Sequence, residues 1–546
     1  MRSSAEEPGS GTRIADGLSE SISWSTELER IEVGGVPFRI YRERERSVLR
    51  FLDIARRWGA RSYLVQGDAR WTFDEVIAAV ERRASALASD GVAGGVPVLL
   101  LGWSSIDWIV AFWSVLRAGG VVVTGNAWWS DEEVRYALEL VKPALVLTDR
   151  PDRIPDPGRR ALAFEELAAA PDPATALPFP PTDEEALALV MFTSGTTGLP
   201  KAAAFSHRAL VAGAQSLLAL TNRLPQQLAD NHPAVVTLQT GPLFHIGGIQ
   251  AILRAPLLGG TLVLSRGRFN PEEVLKLIER EKVQRWAGAV PTMAIRVAAH
   301  PDVGSYDLAS VRSVTLGGTM VPETVMERVR EVFPNARQRV STGWGLTEAG
   351  GQLTAASGIE TIERPGSVGR ALSFVDLRIL DPNNEGVGEV LARSPMQMAG
   401  YVGDDSPSMI DEEGWLHTGD LGRLGEEGFL WLAGRSKDMI IRGGENVAAA
   451  RVEEVLLEHE AVADAAVFGL PDSDLGEVVA AVVVVRPDAD VSRDELAAFA
   501  ASRLSRFAVP TEWWLRKEAL PTNEVGKVAK TTLRDAWPLG KAGTSL

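Results

Sequence analysis

Residues 192–201 read FTSGTTGLPK, a concentration of groups suited to holding phosphate. Thr193, Ser194, Thr196 and Thr197 offer hydroxyl donors, Gly195 lets backbone approach an anion closely, and Lys201 supplies a point charge. A flexible Gly/Ser/Thr linker would have the same composition. This stretch, however, follows the apolar run ALALVMF and precedes HRALVAGAQSLLAL, whose spacing is helical with Ser206 as N-cap. A strand–loop–helix cradle is expected. In a Walker A loop the lysine directly follows the last glycine; here Leu199 and Pro200 intervene, which disfavours a P-loop ATPase.

Five further stretches follow in order: PLFHIGG (242–248), TGWGLTEAG (342–350), WLHTGD (415–420), GRSKDMIIRGGENV (434–447) and LPTNEVGKVAK (520–530). Each has an ordinary reading on its own. His245 among apolar neighbours reads as a packed histidine, Glu348 as a surface acid, and Asp420 after glycine as a turn former. Together, the six resemble the motif set of the adenylate-forming superfamily, in particular its acyl-CoA synthetase and fatty-acid–CoA ligase branch. The resemblance extends over nearly the whole chain beyond the N-terminal tail.

The resemblance implies a two-step reaction. A carboxylate attacks the α-phosphorus of ATP to give acyl-AMP and pyrophosphate, and the thiol of coenzyme A then displaces AMP. The first step gathers negative charge, so it calls for cations and donors rather than a nucleophilic side chain. By resemblance, 193–201 cradles the β/γ-phosphates, with Thr196 counted among the catalytic groups. Glu348 holds Mg²⁺ beside Thr347 and Gly345. Trp344 presents a flat face to adenine, and Gly317, Gly318 and Thr319 form the opposite wall. Asp420 and Arg435 are expected on the ribose hydroxyls, and His245 at the mouth of the acyl pocket. Lys527 is implied as the catalytic cation bridging the acyl carboxylate and the α-phosphate. Lys437 falls at the hinge, and Arg442, Gly443, Gly444 and Glu445 on the loop offered to coenzyme A in the second step. The sequence departs from the family in three places: tryptophan replaces the usual tyrosine at 344, NEVGK replaces T-P-S-G-K, and AAARVEE lacks the aromatic–proline pair.

The acyl group is expected to be apolar: a medium- or long-chain fatty acid, or a bulky aryl, sterol or terpenoid acid. Residues 245–249, WAGAVPTM (286–293) and GGTM (317–320) supply the expected pocket walls. Two alternatives stay open at this point. One is an acyl-AMP ligase loading a carrier protein; the other is a nucleotide-binding regulator without catalysis.

The elements that must position these residues alternate. Thr72 to Glu75 and Ser130 to Glu133 are capping boxes opening helices, and Asn270-Pro271 caps a third. Strands such as PALVLTD and VRSVTLGG intervene, as parallel α/β sheets require. The expected fold class is α/β. A large N-terminal domain (31–434) of α/β sheets carries a small β-rich subdomain (366–434). A smaller, mobile α+β C-terminal domain (435–546) follows, hinged near Lys437, and residues 1–30 read as a disordered tail. The apolar stretch 96–125 reads as strand, buried helix, strand rather than a membrane span, because Asp107 and Arg117 interrupt it.

Composition narrows the classes further. The chain has 546 residues, 56 basic and 72 acidic, for a net charge of −16, which gives no global field for nucleic acid. It has no cysteine, which excludes disulfides, thiolate metal sites and a cysteine nucleophile. No G-x-S-x-G elbow and no zinc-type histidine spacing occur. A cytoplasmic protein is expected. Only nine of the 56 basic residues are lysines, and three of those nine (Lys201, Lys437, Lys527) stand at the motif positions singled out above.

Overall fold

The computed structural model describes residues 24–155, 160–172, 177–180, 183–193, 200–403, 409–442, 445–472, 475–523 and 526–537. Two seven-stranded sheets form the frame of the larger part. In the first, the order is Gly400–Tyr401, Lys201–Ser206, Leu187–Thr193, Val121–Gly125, Pro97–Leu101, Leu145–Thr148, Ala161–Ala163. In the second, it is Val340–Thr342, Ser313–Leu316, Arg285–Ala289, Val236–Gln239, Thr261–Leu264, Ser62–Gln66, Ala69–Thr72. The interior strands pair parallel, as the alternation of helices and strands requires.

Local sequence sets the helix starts. Thr72 and Glu75 close a capping box at Phe73–Ser89, Ser130 and Glu133 another at Asp131–Val141, and Asn270 caps Pro271–Glu281. The apolar stretch resolves into strand Pro97–Leu101, helix Ile106–Arg117 and strand Val121–Gly125. The charges at its ends are paired inside the fold: Asp107 with Arg83 at 2.7 Å and Arg117 with Glu81 at 3.1 Å. Among the described residues no helix is long and apolar enough to cross a membrane.

One core lies between the two sheets, built on Ile106–Arg117, His207–Leu220 and Ile246–Leu258. A second covers the opposite face of the second sheet, where Trp286, Val314 and Met293 meet Pro271–Glu281 and Glu323–Val332. Strand alternation therefore divides each strand of this sheet between two environments. Leu238 and Trp286 face the second core; their neighbours Thr237, Gln239, Arg285 and Ala287 face the helix Ile246–Leu258.

A six-stranded antiparallel sheet follows, ordered Thr354–Ala355, Ser367–Ala371, Phe429–Arg435, Leu416–Leu424, Gly388–Arg393, Asp376–Leu380. Beyond it, Val462–Asp472 and Gly476–Val485 pair antiparallel, flanked by Glu512–Arg516, the hairpin Met439–Arg442/Glu445–Ala448, and the helices Ala449–Leu457 and Arg493–Ala501.

The cradle differs from the sequence expectation. Lys201 opens a strand, Lys201–Ser206, that pairs antiparallel with Leu187–Thr193 in the register Lys201↔Thr193. Only then does Ser206 cap the helix His207–Leu220 by accepting from Ala209 N–H. The described residues on either side of the motif are thus paired strand ends, and a strand separates Lys201 from the helix N-terminus. The short apolar run KAAAF, buried from Ala202 to Phe205, is long enough to make a strand of its own.

Candidate active site

Lys201 and Thr193 stand at the two feet of the hairpin, and the Lys201 ammonium lies 4.9 Å from the centre of the Tyr401 ring. Tyr401 belongs to the strand pairing with Lys201–Ser206, which explains the approach. Its hydroxyl donates to Glu348 Oε1 at 3.0 Å. Glu348 sits in a turn of 3-10 helix, Thr347–Ala349, anchored to the same strand region because Met398 N–H donates to the Glu348 carbonyl. Lys201, Tyr401, Glu348 and Thr347 are therefore one cluster. Ser194, Gly195, Thr196 and Thr197 lie outside the described residues. Tyr401 went unnoticed in the sequence; as one of five tyrosines in an unremarkable MAGYVG stretch, it gives no signal there.

Trp344 lies in the strand–turn just before Glu348 and leaves its ring only 6% exposed. Its Nε1–H donates to Asp420 Oδ2 at 2.7 Å. Arg435 donates through Nε to Asp420 Oδ1, also at 2.7 Å, across a directly paired strand register. The expected flat face toward adenine is thus mostly core surface, and the indole edge holds the Asp420 carboxylate. Tyrosine has no ring N–H, so this bond follows from the tryptophan at 344. Both Asp420 oxygens accept a donor, which fixes the plane of a carboxylate whose residue is 6% exposed.

Gly317, Gly318 and Thr319 follow the strand Ser313–Leu316, beside Gly343 of the neighbouring strand end. Gly318 adopts φ of +81°, and a Cβ there would lie 3.9 Å from Lys527 Cε. Lys527 reaches this wall because the turn that carries it docks on the larger part. Thr292 Oγ1 donates to the Gly526 carbonyl at 2.5 Å, and Asn523 closes the turn by accepting from Lys527 N–H at 2.9 Å. The Lys527 ammonium also bears on His245. Burial first, and that ammonium second, push the His245 imidazole down to about 4, so it is neutral at pH 7. Its buried Nε2 has no partner among the described residues, and its ring packs 4.6 Å from Phe244. His245 opens the helix Ile246–Leu258, as the PLFHIGG motif suggests.

The structure therefore brings together Thr193, Lys201, Gly317, Gly318, Thr319, Trp344, Gly345, Thr347, Glu348, Asp420, Arg435, His245 and Lys527. It does not bring Arg442 or Glu445 there: both belong to the C-terminal hairpin, where Arg442 donates to the Phe507 carbonyl at 2.7 Å and pairs with Gly476. Lys437 lies in the 3-10 turn Ser436–Asp438 immediately after the strand carrying Arg435. Gly443 and Gly444 lie outside the described residues. The expected pocket walls also shift. Ile249, Trp286 and Met293 are core residues, 0%, 0% and 4% exposed, because the strand and helix faces that carry them turn away from the site. What borders the open space is glycine: no atom lies within 4 Å of a Cβ built at Gly247 or Gly288.

As for a metal, Glu348 is a single carboxylate, and no cluster of three His, Asp or Glu side chains able to hold an ion occurs among the described residues. That donor set fits Mg²⁺, which typically keeps waters and phosphate oxygens and takes one or two protein carboxylates.

Known proteins resemble this chain in sequence and fold. The profile of the AMP-binding enzyme family matches residues 51–402, and that of the AMP-binding enzyme C-terminal domain matches 451–527. The long-chain-fatty-acid–CoA ligase of Bacillus subtilis (strain 168) is 30% identical over 531 residues, covering 88% of this chain and 92% of that one. The 3-[(3aS,4S,7aS)-7a-methyl-1,5-dioxo-octahydro-1H-inden-4-yl]propanoyl:CoA ligase of Rhodococcus jostii (strain RHA1) is 32% identical over 518 residues, covering 88% and 96%. Among solved structures, the o-succinylbenzoate coenzyme A synthetase of Bacillus subtilis in complex with ATP and magnesium ion superposes with a TM-score of 0.76 at 30% identity, covering 89% of this chain and 99% of that one. By the family profiles and these relatives, the chain belongs to the family of AMP-binding enzymes.

Proposed function

We propose that this protein is an ATP-dependent, AMP-forming carboxylate–CoA ligase acting on an acid with a substantial apolar body. The observation that carries the reading is the meeting of Lys527 with Gly318 and His245, beside a carboxylate held by Trp344 and Arg435. A C-terminal cation set between a nucleotide wall and an acyl channel suits adenylation. The relatives are ligases of a fatty acid and of a bicyclic propanoic acid, which supports the CoA acceptor over a carrier protein.

In this reading the ribose hydroxyls donate to Asp420, whose geometry is set before ATP arrives. The acyl carboxylate oxygen attacks the α-phosphorus, the bond to pyrophosphate breaks, and Lys527 balances the charge shared by the two reacting anions. Neutral His245 offers its unpartnered Nε2 at the acyl end without adding a competing charge. Mg²⁺ bound at Glu348 would neutralise phosphate oxygens, with Tyr401 orienting that carboxylate. Because Lys527 and the 442–445 hairpin belong to the same C-terminal unit, we assign the second step to a rotation about Lys437 that withdraws one and presents the other. An enzyme using ATP and CoA works where both are supplied, which supports a cytoplasmic location.

ATP–pyrophosphate exchange with a panel of carboxylic acids, followed by thioester detection with CoA, tests the proposal. Acid-dependent exchange and acyl-CoA are expected. ATP binding without exchange for any acid would instead favour a regulator, and thioester formed only on a carrier protein would reassign the acceptor.

A further inference from the structure

The helix that His245 opens carries a face that is not apolar. Gly247, Gln250 and Arg254 share one stripe of the helix Ile246–Leu258, on the side away from its core residues. Opposite, Arg285 and Ala287 occupy the strand face turned toward this helix. Arg254 and Arg285 interact as like charges, and Arg223, at the end of His207–Leu220, adds a third charge against Arg285. Burial and the Arg285 charge push Arg254 down to about 10, and the charges felt by Arg254 and Arg285 are all positive. Among the described residues, no carboxylate pairs with any of the three, whereas Arg57, Arg70 and Arg280 nearby each have one. The row continues outward, since Arg223 and Arg61 both bear on His232.

Half-buried like charges without counter-ions are costly, so a chain that keeps three together has a use for them. The spacing shows what use. From Gly247 to Arg254 is seven residues of helix, roughly 10 Å. From Gly288 to Arg285 is three residues of strand, again roughly 10 Å. The helix and the strand thus each carry an arginine the same distance along from an exposed glycine.

We propose that Arg254 and Arg285, backed by Arg223, bind a second anionic oxygen group at the far end of the substrate, which makes the substrate class acids bearing a distal carboxylate beyond an apolar spacer. Arginine suits this role, because its fork of donors pairs a carboxylate bidentately. The inference rests on the ligase reading above and narrows its substrate.

Pyrophosphate release is measured with decanedioate and with decanoate, ten-carbon acids differing only in the far group. The wild type is expected to favour decanedioate by tenfold or more in kcat/KM. In Arg285→Gln and, separately, Arg254→Gln, that ratio should fall at least tenfold through a higher KM for the diacid. The ratio compares two acids on one protein sample, so partial misfolding does not move it. Decanoate preferred by the wild type, or a ratio unchanged in both variants, would overturn the inference while leaving the ligase reading intact. Acid-independent behaviour, with exchange for neither acid nor any other of the panel, would overturn both.

Discussion

The two ends of the channel treat charge in opposite ways. At the end proposed for the nucleotide, three ionised groups each have a partner: Asp420 holds Arg435 and Trp344, Glu348 holds Tyr401, and Lys201 lies over the Tyr401 ring. At the far end, Arg223, Arg254 and Arg285 face one another. A site with its own counter-ions is rigid before the ligand arrives, which costs nothing at the moment of reaction. A site of like charges is strained until an anion completes it. ATP is common to every enzyme of this chemistry, whereas the acid varies. In the reading proposed above, the chain has built the invariant end as a finished structure and left the selective end to be completed by its substrate.

The largest effect should come where the ends meet. Lys527→Ala is expected to lower acid-dependent pyrophosphate exchange by roughly a thousandfold, the scale of losing one positioned electrostatic group. Thioester formation from supplied acyl-AMP and CoA should change only a few fold. Equal loss in both half-reactions would show that the lysine holds the two parts together rather than serving adenylation.

At the nucleotide end, Trp344→Phe keeps the ring and deletes the N–H that Asp420 accepts. A hydrogen bond to a charged group is worth about 1.5–3 kcal/mol, so KM for ATP should rise about tenfold or more, with kcat less affected. Arg435→Gln should act in the same direction and lower the unfolding midpoint, because Asp420 is buried and loses its cation. The far end should respond with the opposite sign. Like charges held together without counter-ions repel one another. Arg285→Gln is therefore expected to raise the midpoint by about 2 °C in calorimetry while it erodes selection for the diacid. If both ends lose stability on substitution, the contrast between a completed and an incomplete site fails.

The sequence showed one of these ends far better than the other. The cradle, GLTE, HTGD and GK motifs are contiguous runs whose order resembles a known family's, so Lys201, Glu348, Asp420 and Lys527 could be named from that resemblance. Capping boxes at Thr72 and Ser130 were equally plain, because the cap and its N3 partner lie three residues apart. What failed to show depends on long-range pairing. Tyr401 reaches Lys201 only through a two-residue strand pairing, and Trp344 reaches Asp420 across 76 residues. The arginine row draws on a helix end, a helix stripe and a strand, at 223, 254 and 285. In a chain with 47 arginines none of them stands out, and Trp286 and Met293 looked like pocket walls because sequence does not tell which strand face meets the channel.

The smallest expected effect concerns His245, which sits at the boundary of the two ends. Its imidazole is held near 4 by burial and by the Lys527 ammonium, against an ordinary value of 6.5. The folded chain thus binds fewer protons there than the unfolded chain does, and folding stability from this group is complete above pH 6.5 and lost as pH falls from 6.5 toward 4. His207, buried and also near 4, adds a loss of the same sign in the same window. Between pH 8 and 6.5, then, kcat/KM for adenylation should carry no inflection from His245, and His245→Gln should leave the shape of the profile unchanged there. Below pH 6.5 both stability and rate should decline in the wild type, and the variant should lose less stability than the wild type over the same range. An inflection near 6.5 that disappears in His245→Gln would mean the imidazolium forms in the site. The acyl mouth would then carry a cation with an anionic partner, as the nucleotide end does, and the boundary between the two ends would lie deeper in the channel, beyond Gly247.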